Sequence, residues 1–263
     1  MKMVKMKSKR VGRRKSTSKP WVVLCDFDGT VSRKDVGNRM FARFASSPWK
    51  DTVQDWIAGR ISSRDCLKAE CALARATRDE VERFVLSQRI DPHFKRFLHF
   101  CRGHHIPVII LSDGLDFYID LILKKYGLEE LPRFANHLVF QGSNLVPSFP
   151  YFRQGCGSCG NCKGFHVRRY GQDGTTTIYV GDGFSDRCAV KDADLVFAKG
   201  DLRRYCRQRG IAHRPFRDFG DVLRRIRYLI EKVEPREGDS TGPDPFVRGN
   251  AGRGTSRSQR RIN

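Results

Sequence analysis

The aspartate pair Asp26 and Asp28 is the first feature of the sequence that could support catalysis. Residues 21–25 before it are continuously apolar, which is typical of a buried parallel strand, and Gly29 after it permits a tight turn. Carboxylates held this close repel each other, so the pair needs a cation or a proton, and Mg²⁺ prefers such oxygen ligands. One carboxylate could attack phosphorus while the other transfers protons, although a surface turn could carry the same residues.

Further polar residues that suit phosphate chemistry occur later in the chain. Asp182 lies between two glycines and could complete the ligand set of a metal, and Asp186 could orient it from a second layer. The Ser112 hydroxyl, together with the backbone amides of Asp113 and Gly114, could donate hydrogen bonds to phosphate oxygens. The ammonium of Lys163 could offset phosphoryl charge. Each short motif is common by chance, and the ordered set is what favours phosphoryl transfer.

The elements that must position these residues can be read from the apolar runs. Residues 106–111 and 176–180 resemble the first run, and both are followed by polar residues and a glycine. Residues 194–198 predict a fourth strand, residues 134–140 and 144–149 a hairpin, and residues 218–233 a closing helix. Ligands bind at the carboxyl edge of open α/β sheets, so the chemistry should gather there. The expected fold is α/β, with a Rossmann-like parallel sheet as its core.

The segment between the first two strands is too long for a simple crossover. Apolar residues recur in it at helical spacing, and we expect a helical cap over residues 35–91. The catalytic core would then comprise residues 21–34 and 92–233, with tails at residues 1–20 and 234–263 that we expect to be disordered. The alternative is that these helices merely cover one face of the sheet.

The ordered set of motifs resembles the haloacid dehalogenase superfamily. The first motif is matched by Asp26, Asp28, Gly29 and Thr30, and the later ones by Ser112, by Lys163, and by Asp182 with Asp186. The resemblance implies Asp26 as nucleophile, Asp28 as acid and base, and Mg²⁺ held by Asp26, Asp182 and the carbonyl of Asp28. It further implies that Ser112 and Lys163 hold phosphate, and we expect Thr30, Asp113, Gly114 and Ser185 to contribute to that site.

Within the superfamily, a helical cap after the first motif is similar to the phosphoserine phosphatase-like branch. Residues 112–118, 136–137, 162–163 and 194–199 more closely resemble MtnX-type phosphatases, which act on 2-hydroxy-3-keto-5-methylthiopentenyl-1-phosphate in methionine salvage. Asp35 is placed like the acid that binds the substrate amine in phosphoserine phosphatases, but it is one methylene shorter. Ser185 stands where those enzymes usually have asparagine. The expected substrate is a small phosphorylated metabolite, with phosphoserine as the alternative.

Three cysteines, Cys156, Cys159 and Cys162, lie within seven residues directly before Lys163. The spacing is typical of zinc or redox sites, but structural zinc usually takes four ligands. His137 or His166 could supply the fourth. The favoured interpretation is a loop of reduced thiols that positions Lys163, and zinc binding and a dithiol switch are the alternatives.

The chain carries a net charge of +21, and residues 1–20 contain nine Lys or Arg and no acid. Such a tail could be a solvated segment, an organelle transit segment or a nucleic-acid contact. A nucleic-acid-binding protein on an inactive phosphatase scaffold is therefore the rival from another class. We expect no membrane span and a reducing, cytoplasmic location. The sequence leaves the oligomeric state open.

Overall fold

A computed structural model describes residues 19–233 of the chain, and its centre is one seven-stranded sheet. The strand order is β4-β3-β2-β1-β5-β6-β7, and the β3–β4 pair is antiparallel while the other neighbours are parallel. The strands are β1 (Trp21–Asp26), β2 (Val108–Leu115), β3 (Arg133–Gln141), β4 (Asn144–Ser148), β5 (Thr176–Gly181), β6 (Leu195–Ala198) and β7 (Arg214–Pro215). The predicted α/β fold with a parallel core is confirmed.

The register of the central strands brings the predicted polar residues to one edge. Asp26 pairs with Leu111 of β2, and Cys25 pairs with Val180 of β5. The residues that follow Asp26, Leu111 and Val180 therefore lie next to one another at the carboxyl edge of the sheet, as the Rossmann-like topology requires. Strand β1 is fully enclosed by its neighbours, which explains its uninterrupted apolar sequence.

Strand β2 differs from the run expected from the sequence. It starts two residues later than residue 106 and continues through Leu115, which pairs with Asn136 after a register shift. The polar residues 112–114 therefore lie in the last part of the strand, and helix α6 (Asp116–Lys125) begins after them. Strand β7 was not predicted, because two residues are too few to form an apolar run.

Nine helices are present in the described range, and four of them lie between β1 and β2: α1 (Val36–Phe44), α2 (Trp49–Ile57), α3 (Ser63–Leu73) and α4 (Arg78–Leu86). Polar side chains begin three of these helices. Asp35 accepts from the amide of Asn38, Ser62 caps α3, and Thr77 forms a capping box with Glu80. The predicted helical character of this segment is confirmed.

The two ends of this four-helix insertion lie next to each other. Ser32 and Ile90 form an antiparallel bridge, and the amide of Asp91 donates to the carbonyl of Val31 at 2.8 Å. Helix α4 packs against α6, and α3 packs against β4. The insertion thus leaves and rejoins the core at one point, close to the expected boundaries, while the division into cap and core domains stays a prediction.

The remaining helices cover both faces of the sheet: α5 (Phe94–Gly103), α6, α7 (Lys163–Tyr170), α8 (Gly200–Gln208) and α9 (Phe219–Val233). Apolar residues of α5, α6 and α9 form the core on one face, and those of α7 and α8 form the core on the other. The predicted closing helix corresponds to α9. None of the helices between residues 19 and 233 has the length and apolar character that a bilayer crossing requires. Residues 1–18 and 234–263 of the predicted tails lie outside the described residues.

Candidate active site

The first acidic residue of the site, Asp26, ends β1, and an irregular turn over Phe27–Val31 follows it. Gly29 has φ +74° in this turn, a conformation that side-chain-bearing residues rarely adopt. A Cβ at Gly29 would also collide with the carboxylate of Asp182. The glycine therefore permits both the turn and the close approach of the two acidic segments.

Lys163 is fully buried and joins the predicted catalytic groups. Its Nζ donates to Asp26 Oδ1 at 2.5 Å, to Asp186 Oδ1 at 2.6 Å and to Ser185 Oγ at 2.9 Å. Burial lowers the pKa of Lys163, but the two carboxylates outweigh burial and hold the pKa above its ordinary value. The ammonium is therefore charged, and its position is fixed by three acceptors.

The Asp186 carboxylate is engaged on both oxygens by protein groups. Oδ1 accepts from Lys163 and, at 2.5 Å, from the Tyr179 hydroxyl, while Oδ2 accepts from the amides of Asp182 and Gly183 at 2.9 Å each. These bonds orient the turn that carries Asp182. They are compatible with the prediction that Asp186 orients Asp182, the expected metal ligand, and does not bind the metal itself.

The acidic cluster fits a divalent cation. Oxygen atoms of Asp26, Asp182 and Asp186 lie within 4.8 Å of one another. Burial raises the pKa of Asp26, and repulsion from the other carboxylates adds to this, although Lys163 opposes it. Burial, followed by the charge of Asp186, raises the pKa of Asp182 to about 6. The ammonium groups of Lys163 and Lys199 thus do not fully offset the repulsion among the clustered carboxylates, and hard oxygen donors of this kind suit Mg²⁺.

Asp28 faces the start of the insertion. Its Oδ1 accepts from the amides of Val36 at 2.8 Å and Gly37 at 3.2 Å, and its Oδ2 accepts from the Tyr118 hydroxyl at 2.6 Å. Burial raises the pKa of Asp28, while these hydrogen bonds oppose the rise. Asp28 can therefore hold a proton more readily than an exposed aspartate, as a general acid must.

The residues expected to bind phosphate do not all face the cavity. Ser112 is buried at the floor of the cavity. Its Oγ accepts a hydrogen bond from the Gly114 amide at 2.9 Å and lies 3.5 Å from Asp28 Oδ2. The Asp113 carboxylate accepts a hydrogen bond from the backbone amide of Asn161, which lies in the cysteine loop, at 2.7 Å. Thr30 is buried and donates to Asp182 Oδ1 at 3.2 Å, so in this structure it orients a carboxylate instead of lining the cavity.

A cavity of about 450 Å³ opens above the acidic cluster. Asp26, Asp28, Ser112, Gly114, Asp182 and Ser185 line its floor, and residues of α1, α2 and α3 line the other side. The latter include the apolar side chains Phe41, Val53, Trp56, Ile57 and Leu67. The cavity therefore combines the charged groups of the core, where the predicted chemistry gathers, with a wall on the insertion that carries these five apolar side chains among polar ones.

Two acids of the insertion also line this cavity. Asp35, predicted from its position, keeps an exposed carboxylate that accepts from the Asn38 amide, and the surrounding protein and then the charge of Asp28 raise its pKa above the ordinary value. Glu70, which was not predicted, is buried, and its pKa is raised to about 8 by burial and by the charge of Asp35. The Glu70 carboxyl can therefore be protonated near neutral pH and can donate a hydrogen bond to a ligand.

Two further functional candidates were missed from the sequence. Tyr118 lies in α6 among apolar residues, and nothing in its local pattern indicates that its hydroxyl reaches Asp28. Ser63 begins α3, and its Oγ donates to Asp113 Oδ2 at 2.5 Å. No motif marks either residue, because their partners are distant in sequence.

The residue that joins the three cysteines of the loop is not one of the two histidines considered from the sequence. Cys156, Cys159 and Cys162 come together with Cys188, not with a histidine. His137 Nδ1 lies 2.5 Å from Asp116 Oδ2, and His166 Nε2 lies 2.7 Å from Asn161 Oδ1. Neither histidine proposed as the fourth ligand belongs to this cluster, although Nδ1 of His166 is buried without a hydrogen-bond partner, and the Cys188 thiol takes the place expected for one of them.

Comparison with known families agrees with this geometry. The profile of the haloacid dehalogenase-like hydrolase family matches residues 23–191. A 2-hydroxy-3-keto-5-methylthiopentenyl-1-phosphate phosphatase of Brevibacillus brevis is 30% identical over 220 residues, covering 82% of this chain and 99% of the relative. The enzyme of the same name from Geobacillus kaustophilus is 31% identical over 211 residues, covering 78% of this chain and 95% of the relative.

Solved structures of phosphoserine phosphatase share the fold. One with an analogue of the phospho-aspartyl intermediate has a TM-score of 0.60 at 20% identity, covering 79% of this chain and 99% of that one. A substrate-bound complex has a TM-score of 0.61 at 20% identity, with the same coverage. The chain therefore belongs to the haloacid dehalogenase-like hydrolase family, near the MtnX-type phosphatases, and is a phosphoric monoester hydrolase.

Proposed function

We propose that this phosphatase uses Mg²⁺ and forms a covalent phosphoryl intermediate on Asp26. The observation that carries the proposal is the position of the Asp26 carboxylate. It ends the central strand, borders the cavity, contacts the Lys163 ammonium at 2.5 Å and belongs to a cluster with Asp182. A carboxylate placed in this way can approach the phosphorus of a bound monoester while cationic groups offset the charge.

The proposed reaction has two steps. A carboxylate oxygen of Asp26 bonds to phosphorus, the bond from phosphorus to the ester oxygen breaks, and Asp28 gives its proton to the departing alcohol or enol. Asp28 then accepts a proton from water, which attacks the phosphorus of the aspartyl phosphate. The bond to Asp26 breaks, inorganic phosphate leaves, and both aspartates return to their starting states.

Asp26 and Asp182 would hold Mg²⁺, together with the main-chain carbonyl of Asp28, as the family resemblance implies. The ion supplies positive charge near the phosphoryl oxygens when it is bound. Lys163 and the Ser112 hydroxyl would bind other phosphoryl oxygens, and Asp186 would hold Lys163 and the Asp182 turn in place.

The cavity favours an uncharged, apolar leaving group. Among the described residues that line it, none is Arg, Lys or His, so the carboxylate of phosphoserine would have no cationic partner there. The Trp56 and Leu67 side chains suit a hydrocarbon or thioether tail. A protonated Glu70 carboxyl could donate to a keto or hydroxyl oxygen, and the Asp35 carboxylate could accept from a hydroxyl group. We therefore favour 2-hydroxy-3-keto-5-methylthiopentenyl-1-phosphate, the compound in the names of the relatives, over phosphoserine.

Residues 35–91 would act as a cap that opens to admit substrate and closes to exclude water. Ser32 and Ile90 form the neck of this insertion, where a hinge would lie. Trp56 of α2 packs edge-on against Phe184 of the core turn, with ring centroids 6.3 Å apart, and both residues line the cavity. We further propose a cytoplasmic location, since all nine cysteines are free thiols, which suits a reducing compartment.

The test is phosphate release from a panel of phosphorylated metabolites that includes phosphoserine and the methionine-salvage compound, with Mg²⁺ and with chelator. We expect metal-dependent turnover concentrated on the methionine-salvage compound. Preference for phosphoserine would contradict the substrate assignment. Absence of turnover together with salt-sensitive nucleic-acid binding that requires residues 1–20 would favour the rival binding function.

A further inference from the structure

Four thiols from two separate segments converge beside the proposed active site. Cys156, Cys159 and Cys162 come from the loop before α7, and Cys188 comes from the turn after Asp186. All four sulfur atoms lie within 4.8 Å of one another. The Sγ atoms of Cys156 and Cys159 are 3.5 Å apart, and those of Cys159 and Cys188 are 4.0 Å apart.

These separations match a metal site and not a disulfide. A disulfide requires about 2.05 Å between sulfurs. Four sulfurs placed tetrahedrally about 2.3 Å from a zinc ion would lie about 3.8 Å from one another, near the observed values. The other five cysteines, at residues 25, 66, 71, 101 and 206, are all buried outside this cluster.

One backbone amide is directed at the cluster. The Cys159 amide donates to Cys156 Sγ at 3.5 Å, and the Phe165 amide fixes the end of the loop by donating to the Cys162 carbonyl oxygen at 3.1 Å. A backbone N–H group directed at sulfur stabilises negative charge on it. Gly164 allows the two segments to approach, because a Cβ there would lie 2.8 Å from the Cys188 carbonyl oxygen.

We propose that Cys156, Cys159, Cys162 and Cys188 bind one structural zinc ion. Its four thiolates would close the coordination shell, so the ion would have no open position for catalysis. Cys162 directly precedes Lys163, and Cys188 is two residues beyond Asp186. The zinc would therefore join the two segments whose side chains form the 2.6 Å ion pair. This effect on Lys163 rests on the proposed function, whereas zinc binding itself does not.

The loop also reaches the insertion. The Gly160 amide donates to Ser63 Oγ at 3.1 Å, and the Arg64 guanidinium stacks over the Phe152 ring at 4.0 Å. A fixed cysteine loop would thus provide a constant surface for the first turn of α3.

The test is the zinc content of the reduced, full-length protein, measured by mass spectrometry of the metals, for the wild type, Cys156→Ser, Cys188→Ser and the control Cys101→Ala. We expect one zinc per chain in the wild type and the control, and its loss in both serine variants together with a lower Tm. Cobalt substitution of the wild type keeps the test decisive if a serine variant misfolds. Thiolate-to-cobalt charge-transfer absorption that persists in excess Mg²⁺ and in Asp182→Asn is the expected result.

Three outcomes would overturn the site. The first is a folded, reduced wild type that takes up neither zinc nor cobalt. The second is zinc lost in Asp182→Asn but retained in Cys188→Ser, which would assign the metal to the acidic cluster. The third is a set of thiols that cycle through a disulfide and bind no metal after reduction. The phosphatase assay is a separate readout, so failure of the proposed function would leave the metal content unchanged.

Discussion

The Tyr118 hydroxyl donates a 2.6 Å hydrogen bond to Asp28 Oδ2, although the two residues are 90 positions apart. The ring of Tyr118 fills the space beside two glycines, Gly114 and Gly37, where a Cβ would press against its hydroxyl. The other Asp28 oxygen accepts from the first amides of α1. The proposed acid and base is therefore positioned jointly by the core helix α6 and by the start of the insertion.

Tyr118→Phe should move the pH profile of kcat/KM. The hydrogen bond from Tyr118 lowers the pKa of Asp28, so its removal should raise that pKa. Asp28 must be protonated in the free enzyme to protonate the leaving group. The fall of kcat/KM at high pH should therefore shift to a higher pH in the variant. Tyr126→Phe, whose ring lies outside the cavity, is the control. An unchanged high-pH limb in Tyr118→Phe would argue against Asp28 as the acid.

Gly29→Ala should weaken metal-dependent activity. Gly29 at φ +74° and Gly59 at φ +75° have nearly the same backbone conformation. Alanine at either position should be strained to the same degree and should cost about 1–2 kcal/mol of folding stability. A Cβ meets Asp182 at the first position but nothing within 4 Å at the second. Alanine at residue 29 should therefore raise the Mg²⁺ concentration needed for half-maximal rate and lower kcat, while Gly59→Ala should not. Equal kinetic effects of the two variants would show that the contact with Asp182 is unimportant.

Glu70→Gln should stabilise the protein at high pH. The pKa of Glu70 is raised from 4.5 to about 8, so the folded state binds more protons than the unfolded state in this interval. Stability from this group is present below pH 4.5 and is lost as pH rises through about 8. Glutamine does not ionise, so the variant does not lose stability in this way. Since one pKa unit corresponds to about 1.36 kcal/mol, the Tm of the variant should exceed that of the wild type by several degrees at pH 8.5.

The matched control for this prediction is Glu129→Gln, an exposed position. Thermal melts of the three proteins between pH 5 and pH 9 would measure the difference. A Tm difference for Glu70→Gln that does not grow with pH would show that Glu70 is already ionised without cost in the folded protein.

Trp56→Ala should weaken substrate binding more than catalysis. Trp56 lines the cavity with the apolar side chains of the insertion and packs against Phe184. Loss of this surface should raise KM roughly tenfold, which corresponds to about 1.4 kcal/mol, for a substrate with an apolar tail. Trp56→Phe should retain most of the affinity. A fall in kcat at unchanged KM would contradict a role of Trp56 in holding the leaving group.

The sheet and the acidic end of the site were predictable because their signals are local. An apolar run that ends in a polar residue and glycine marks a buried parallel strand, and Asp26 and Asp182 follow such strands. Parallel strands in register bring these ends together without further information. The helix that starts at Lys163 was also anticipated, and its side chain does reach Asp26.

The rest of the site depends on contacts that leave no local pattern. Tyr118 occupies an ordinary apolar position of α6, and Glu70 resembles any acid on an amphipathic helix until the fold buries it. Cys188 is an isolated cysteine, and β5 lies between it and the cysteine loop in the sequence. The contact of the Thr30 hydroxyl with Asp182 leaves no local pattern for the same reason, because the fold of the turn brings the two residues together.

The most direct test of the account is phosphate release by wild type and by Asp26→Asn in Mg²⁺, with melting curves to show that both are folded. Asparagine keeps the shape of the side chain but lacks the charge that contacts Lys163 and the nucleophilicity needed to attack phosphorus. We expect turnover by the wild type that chelator abolishes, and no turnover by the variant. A folded Asp26→Asn protein that releases phosphate at the wild-type rate would contradict it.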